Sequence, residues 1–170
     1  MLEWWEHVKD ASLIDEGLYL GNWNNGANLA HDNPLGIQAV LNLSTTRLLT
    51  NESEPYLESS EIHYLHVPFP DEEPIPYECF WKCMNYLQYR HGSLKQKVLV
   101  HCNAGISRSP TIVASYLYLA AKAKVSDPPN WDSFISAIKI SRNIVNPAVA
   151  TRVSAKKLLQ AWPYSEKWSF

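Results

Sequence analysis

The most chemically informative pattern in the chain is VLVHCNAGISRSPT, residues 98–111, in which a cysteine ends an apolar run and an arginine follows six residues later. Val98 to His101 reads as a buried strand that delivers Cys102 to a seven-residue loop, Cys102 to Arg108. A helix is expected to begin near Ser109, with Pro110 suited to its first turn. Such a loop turns successive backbone N–H groups inward and makes an anion nest at a helix N-terminus. Gly105 supplies the dihedral freedom of a tight loop, and Arg108 can offer its planar fork to two oxygens of one phosphate. The helix N-terminus and the cation also favour the thiolate of Cys102 at neutral pH. A thiolate aimed at a bound phosphate needs no separate base, so the pattern implies phosphoryl transfer to sulfur through a cysteinyl-phosphate. The nest and Arg108 would hold the equatorial oxygens through the transition state. Most free cysteines are inert core residues; the placement of Cys102 between a strand and a spaced arginine sets it apart. His101, at the strand end, is expected to orient the loop by hydrogen bonding and not to act as a base. Ser109 can serve as the helix N-cap.

A leaving alkoxide or phenoxide needs a proton, and a positioned acid contributes roughly 10²–10⁴-fold. Asp71, Glu72 and Glu73 lie in VPFPDEEPIP, residues 67–76, where Pro68, Pro70, Pro74 and Pro76 restrict the backbone. This loop follows a strand expected to end on the same side of a sheet as Cys102, so it can overhang the sulfur.

The elements that would hold these groups alternate along the chain. Leu13 to Gly21 reads as two short strands with a turn at Asp15-Glu16-Gly17, and Ala39 to Leu43, Ile62 to Val67 and Val98 to His101 read as further strands. Helical spacing covers Tyr77 to Tyr89, Thr111 to Ala123, Trp131 to Ile144 and Ala148 to Ala161. The alternation predicts an α/β fold: a central, mostly parallel sheet of about five strands flanked by helices, with the phosphate-binding loop between the last strand and a helix. In such sheets ligands sit beyond the carboxyl ends of the strands.

Composition narrows the class. With 170 residues, 46% hydrophobic and 19% charged, the chain reads as one globular domain over residues 1–170 and not as a disordered segment. A formal charge of −2 argues against a nucleic-acid partner. No apolar run is long enough for a membrane span and no leader pattern opens the chain. Three cysteines make no closed disulfide framework, which fits a reducing compartment, cytoplasmic or nuclear. No cofactor or metal is called for, and a monomer is expected.

HCNAGISRS resembles the His-Cys-(five residues)-Arg-Ser/Thr signature of the protein tyrosine phosphatase superfamily, and Ala-Gly-Ile-Ser-Arg-Ser is similar to its dual-specificity form. LYLGN at 18–22, GIQAVLNLS at 36–44 and RNIVNP at 142–147 extend the resemblance over most of the chain. The resemblance implies a protein tyrosine phosphatase-like fold and a small, atypical dual-specificity phosphatase acting on phosphotyrosine, phosphoserine and phosphothreonine. It implies Cys102 as nucleophile, Arg108 as phosphate clamp, Asp71 as acid by its spacing from the nucleophile, and Ser109 as the hydroxyl that assists departure of the thiolate. Asn103, Ala104, Gly105, Ile106, Ser107 and Arg108 would bind the phosphate. Relatives acting on phosphoinositides carry lysines inside the loop; Asn103, Ala104 and Ile106 add no cation here, which favours a phosphorylated protein as substrate. Alternatives are a catalytically weak phosphoprotein-binding module of the same fold and a phosphatase for a lipid or RNA monoester. An arsenate reductase would want a suitably placed resolving cysteine, and a sulfurtransferase leaves Asp71 unexplained. The resemblance also departs from its pattern at Asn146-Pro147 and in Asp127 to Asn130.

Weaker constellations resolve toward structure. Cys79 and Cys83, four apart on a helix with Phe80 and Met84, read as core and not as zinc ligands. Asn42-Leu43-Ser44 and Asn51-Glu52-Ser53 match glycosylation sequons, the first on an apparently buried strand. The tryptophans near the two termini, Trp4, Trp5, Trp23, Trp162 and Trp168, are expected to pack the end segments onto the core.

Overall fold

The computed structural model describes residues 10–46 and 61–162. Among these, five strands form one sheet in the order β1-β2-β5-β3-β4: β1 (Ser12–Asp15), β2 (Leu18–Gly21), β3 (Ala39–Asn42), β4 (His63–His66) and β5 (Val98–His101). β1 and β2 are an antiparallel hairpin whose turn uses Gly17 at φ +73°, and every other pairing is parallel. Apolar residues alternate across the sheet, and each face therefore has a core of its own. Leu18, Leu20, Ala39, Leu41, Val98 and Val100 join the main core, whereas Val40 and Leu99 join a smaller cluster with Leu29, Ile37 and Ile62.

Four helices serve the main core: α2 (Tyr77–Leu87), α3 (Arg108–Lys124), α4 (Trp131–Ser141) and α5 (Val149–Gln160). The short α1 (Trp23–Asn28) lies against the smaller cluster. α1 has no apolar periodicity and was not expected. It starts because Asn22 and Asn25 cap each other: Asn25 N–H donates to Asn22 Oδ1 at 3.0 Å and Asn22 N–H to Asn25 Oδ1 at 2.8 Å. α2 is continued by a π-helical turn, Gln88–Ser93. α4 begins where Asn130 Oδ1 accepts the Ser133 N–H at 3.0 Å. It ends at Ser141, short of the expected Ile144, because Arg142 leaves helical dihedrals. Trp162 is buried, with ring centroids 4.4 Å from Trp81 and 5.9 Å from Phe80. Trp4, Trp5, Trp168 and the sequon at Asn51 lie outside the described residues.

Register is what prepares the site. Gly21 and Asn42 both pair with His101, and Asn42 pairs with His66, so four parallel strand ends stand in one row. β5 is the central strand of the five, flanked by β2 and β3. β4 is not its neighbour; β3 intervenes, so the loop after β4 must reach across one strand to approach the loop after β5.

Candidate active site

Cys102 follows the central strand, and the loop behind it is held by its carbonyls. Asn103 O accepts from Trp23 N–H at 2.9 Å and Ile106 O from Asn146 N–H at 2.8 Å. Ala104 O and Gly105 O accept from Arg142 Nη2 and Nε at 3.2 and 3.0 Å. Ser107 O accepts from Thr111 N–H at 3.1 Å and Thr111 Oγ1 at 2.8 Å. With every carbonyl from Asn103 to Ser107 tied to the scaffold, the N–H groups of the same residues have no acceptor among the described residues. That is the anion nest the spacing implied, at the N-terminus of α3.

Arg142 is the functional residue that the sequence reading missed. It is 1% exposed, and its third nitrogen, Nη1, donates to Asp10 O at 3.3 Å and Ser12 Oγ at 3.4 Å. Burial lowers its pKa from the ordinary value, and the sulfur of Cys102 opposes that shift. Its acceptors are mostly backbone carbonyls, so no partner carboxylate marks it in the sequence. The available signal was its position directly after an apolar helix.

Gly105 lies at φ +69°, and a Cβ there would stand 2.5 Å from Gly21 O and 2.7 Å from Arg142 Nη2. Gly105→Ala is therefore expected to displace the loop from both supports. A thermal melt should show a loss of about 1–3 kcal/mol, and kcat/KM should fall by roughly 10²-fold if the phosphate seat moves by about 1 Å.

Cys102 is buried and its Sγ lies 3.2 Å from Ser109 Oγ. The N-cap of α3 is Ser107, and the helix starts at Arg108; the expectation that Ser109 caps it is corrected. As the second residue of the helix, Ser109 turns its hydroxyl to the sulfur, while Ser107 Oγ accepts from Ala148 N–H at 2.9 Å. His101 is fully buried, with Nδ1 3.2 Å from Cys102 O. Burial drives its pKa down to about 4, against the opposing hydrogen bond to Cys102 O and with a smaller push from His66. It is neutral at physiological pH and braces the loop.

Arg108 is 1% exposed. Its Nη1 is anchored to Leu43 O at 3.3 Å and Phe69 O at 3.1 Å, carbonyls from the loops after β3 and β4. Its Nη2 lies 3.5 Å from Asp71 Oδ2, and its Nε is buried without a partner. A buried donor left unpaired costs about 1–3 kcal/mol. Here the anchored Nη1 fixes the guanidinium plane so that the Nε–Nη2 edge is the one offered to a ligand. Asp71 is half-exposed, and its Oδ1 accepts the Glu72 N–H at 3.0 Å, which turns Oδ2 toward Arg108. The structure thus gathers Cys102, Ser109, Arg108 and Asp71 around one nest, while Glu72 and Glu73 face solvent.

Other candidates fall away from the site. Cys83 is in the core, its thiol pKa pushed well up by burial, and Cys79 is half-buried with Sγ 3.9 Å from Pro68 O. Among the described residues no cluster of three metal-ligating side chains occurs. Asn42 is fully buried, its Nδ2 donating to Thr46 O and Tyr64 OH at 3.0 and 2.9 Å, so the first sequon is a structural residue.

Comparison with known proteins agrees with this arrangement. The sequence profile described as "Dual specificity phosphatase, catalytic domain" matches residues 18–151. The chain is 30% identical over 155 residues to dual specificity protein phosphatase 15 of Homo sapiens, covering 89% of this chain and 46% of that protein. It is 30% identical over 131 residues to dual specificity protein phosphatase 2 of Mus musculus, covering 76% of this chain and 37% of that one. It therefore spans less than half the length of these two relatives. The crystal structure of DUSP15 superposes with a TM-score of 0.69 at 26% identity, covering 94% of this chain and 99% of that one.

Proposed function

The chain belongs to the dual specificity phosphatase catalytic-domain family, and we propose that it dephosphorylates phosphotyrosine and phosphoserine or phosphothreonine in proteins. The observation that carries this reading is the nest around Cys102, whose N–H groups have no acceptor among the described residues, faced by the Nε–Nη2 edge of Arg108, with Nε unpartnered and Nη2 3.5 Å from Asp71 Oδ2. A phosphate monoester seated there takes the nest and Arg108 on its equatorial oxygens and presents phosphorus to the sulfur. Cys102 attacks as the thiolate, the P–S bond forms as the P–O bond breaks, and Asp71 gives its proton to the departing oxygen. Water then attacks the cysteinyl-phosphate, losing its proton to the Asp71 carboxylate, and Ser109 donates a hydrogen bond to the leaving sulfur. A binding module would need the nest and Arg108 but no acid beside them; Asp71 is what that alternative leaves unexplained.

The substrate class follows from charge. Asn103, Ala104 and Ile106 add no cation to the loop, and the neighbouring rim carries Glu72 and Glu73. A multiply phosphorylated headgroup or an RNA end gains nothing from these groups. No helix among the described residues is long and apolar enough to cross a membrane. A free thiol nucleophile works only while reduced, which supports work in a reducing compartment, the cytoplasm or nucleus.

The test is phosphate release, with chelator present, from matched peptides bearing phosphotyrosine, phosphothreonine or phosphoserine, beside phosphoinositide vesicles and 5′-phosphorylated RNA. Turnover of the peptides above the other two is expected. Peptide binding without turnover, or preference for vesicles or RNA, overturns the proposal. Asp71→Ala should cost about 10²-fold or more on phenyl phosphate and far less on p-nitrophenyl phosphate, whose leaving group needs little protonation. Its pH profile should lose the alkaline limb, since that limb reports the acid giving up its proton.

A further inference from the structure

The loop that carries Asp71 has little backbone with which to hold itself. Four of the ten residues from Val67 to Pro76 are prolines without an N–H, and residues 70–74 are exposed. Glu72, directly after the acid, sits at φ +60°, a conformation that costs a non-glycine residue about 1 kcal/mol or more and persists only where its surroundings enforce it. The entrance of the loop is fixed by Val67 N–H donating to Asn42 O at 2.9 Å, by the burial of Phe69, and by Arg108 on Phe69 O.

Its exit is fixed by α5. Thr151 Oγ1 donates to Glu73 O at 3.2 Å, and Ile75 N–H donates to Ser154 Oγ at 2.9 Å. Ser154 Oγ in turn donates to Thr151 O at 2.9 Å, so the two hydroxyls act as one bracket. Just ahead of α5, Asn146 N–H and Ala148 N–H hold Ile106 O and Ser107 Oγ. One helix and the turn leading into it therefore grip both the loop of the nucleophile and the loop of the acid.

We propose that Thr151 and Ser154 are positioning residues for the Asp71 carboxyl, setting its distance to the oxygen that leaves. The proposal rests on the reading of Asp71 as the acid. Thr151 is fully buried, and its hydroxyl is spent on the loop's Glu73 carbonyl. Releasing Glu73 and Ile75 frees the backbone on the C-terminal side of Asp71 while leaving the nest, Cys102 and Arg108 with all their own bonds. A purely structural bracket predicts something different: equal losses on every substrate, in proportion to lost stability.

Thr151→Val and Ser154→Ala, singly and together, are compared with wild type and Asp71→Ala on phenyl phosphate and p-nitrophenyl phosphate across pH. The double variant is expected to lose about tenfold or more in kcat/KM on phenyl phosphate and less than about threefold on p-nitrophenyl phosphate. Its alkaline limb should weaken toward that of Asp71→Ala, it should add no loss when combined with Asp71→Ala, and Thr151→Ser should restore the single-site effect. Should the double variant fold poorly, Ser154→Ala and Thr151→Val carry the same comparison singly. Equal losses on the two esters, an additive loss on Asp71→Ala, or no loss overturns the inference. If Asp71→Ala alone shows the leaving-group dependence, only the bracket has failed. If Asp71→Ala does not show it either, the acid assignment has failed and the bracket with it.

Discussion

Cys102→Ser is expected to lower kcat/KM for any phosphomonoester by on the order of 10⁴-fold or more, about 5.5 kcal/mol of barrier. The size follows from what stands near the sulfur. Among the described residues the only hydrogen-bond neighbour of Cys102 Sγ is Ser109 Oγ. The histidine beside it cannot serve as a base, because His101 is fully buried and its Nδ1 is turned to Cys102 O. A nucleophile in this position must ionise without help. A thiol in a nest of N–H groups can do so; a serine hydroxyl cannot. The substitution changes one atom and leaves the nest and Arg108 in place, so the variant should melt with wild type and still bind a phosphopeptide. Steady-state turnover above about 1% of wild type, with contaminating activity excluded by a second preparation, would remove the cysteinyl-phosphate from the mechanism.

Arg108→Lys should cost roughly 10²–10³-fold in kcat, the scale of losing a preorganised donor at developing negative charge. Retaining the positive charge will not rescue it. Nη1 is engaged by Leu43 O and Phe69 O, and that engagement aims the Nε–Nη2 edge. A lysine has one ammonium with which to satisfy two carbonyls and a phosphate, and it offers no fixed fork. The loss should fall more on kcat than on KM, because the nest still receives the ground-state phosphate. A lysine variant within about threefold of wild type in kcat would show that charge alone is required and that the anchored geometry is incidental.

The site was readable in the sequence to the extent that its chemistry is local. A cysteine and an arginine six residues apart, with a glycine between them, specify a nest without reference to the rest of the chain. Asp71 needed more: the residues offered three carboxyls, and the family spacing selected the one whose Oδ2 faces Arg108. Thr151 and Ser154 left no mark, and Arg142 was marked only by its place in RNIVNP after an apolar helix, because all three bond mainly to backbone, and any residue type can supply a carbonyl or an N–H. α1 was missed for a related reason. Its cap is two asparagines acting reciprocally, and its six residues carry no stripe of apolar side chains. The three inner strands β2, β5 and β3, by contrast, were found close to their observed ends because each is a short, largely buried run with a core on both sides. The end of α4 was overrun by three residues, where apolar Ile144 prolonged the pattern past the point at which Arg142 turns toward the loop.

The central place of β5 between β2 and β3 has a consequence for how the protein comes into being. Both partners come from far earlier in the chain, and pairings of that kind are slow to nucleate because the intervening polypeptide must first be brought to order. The nucleophile's loop is braced in turn by the amide of Trp23, the first residue of α1, and by groups between α4 and α5. A fragment must run from Trp23 to Asn146 to hold all of those braces. A nascent chain that has not yet reached Asn146 therefore carries the full signature without the groups that hold its loop in shape.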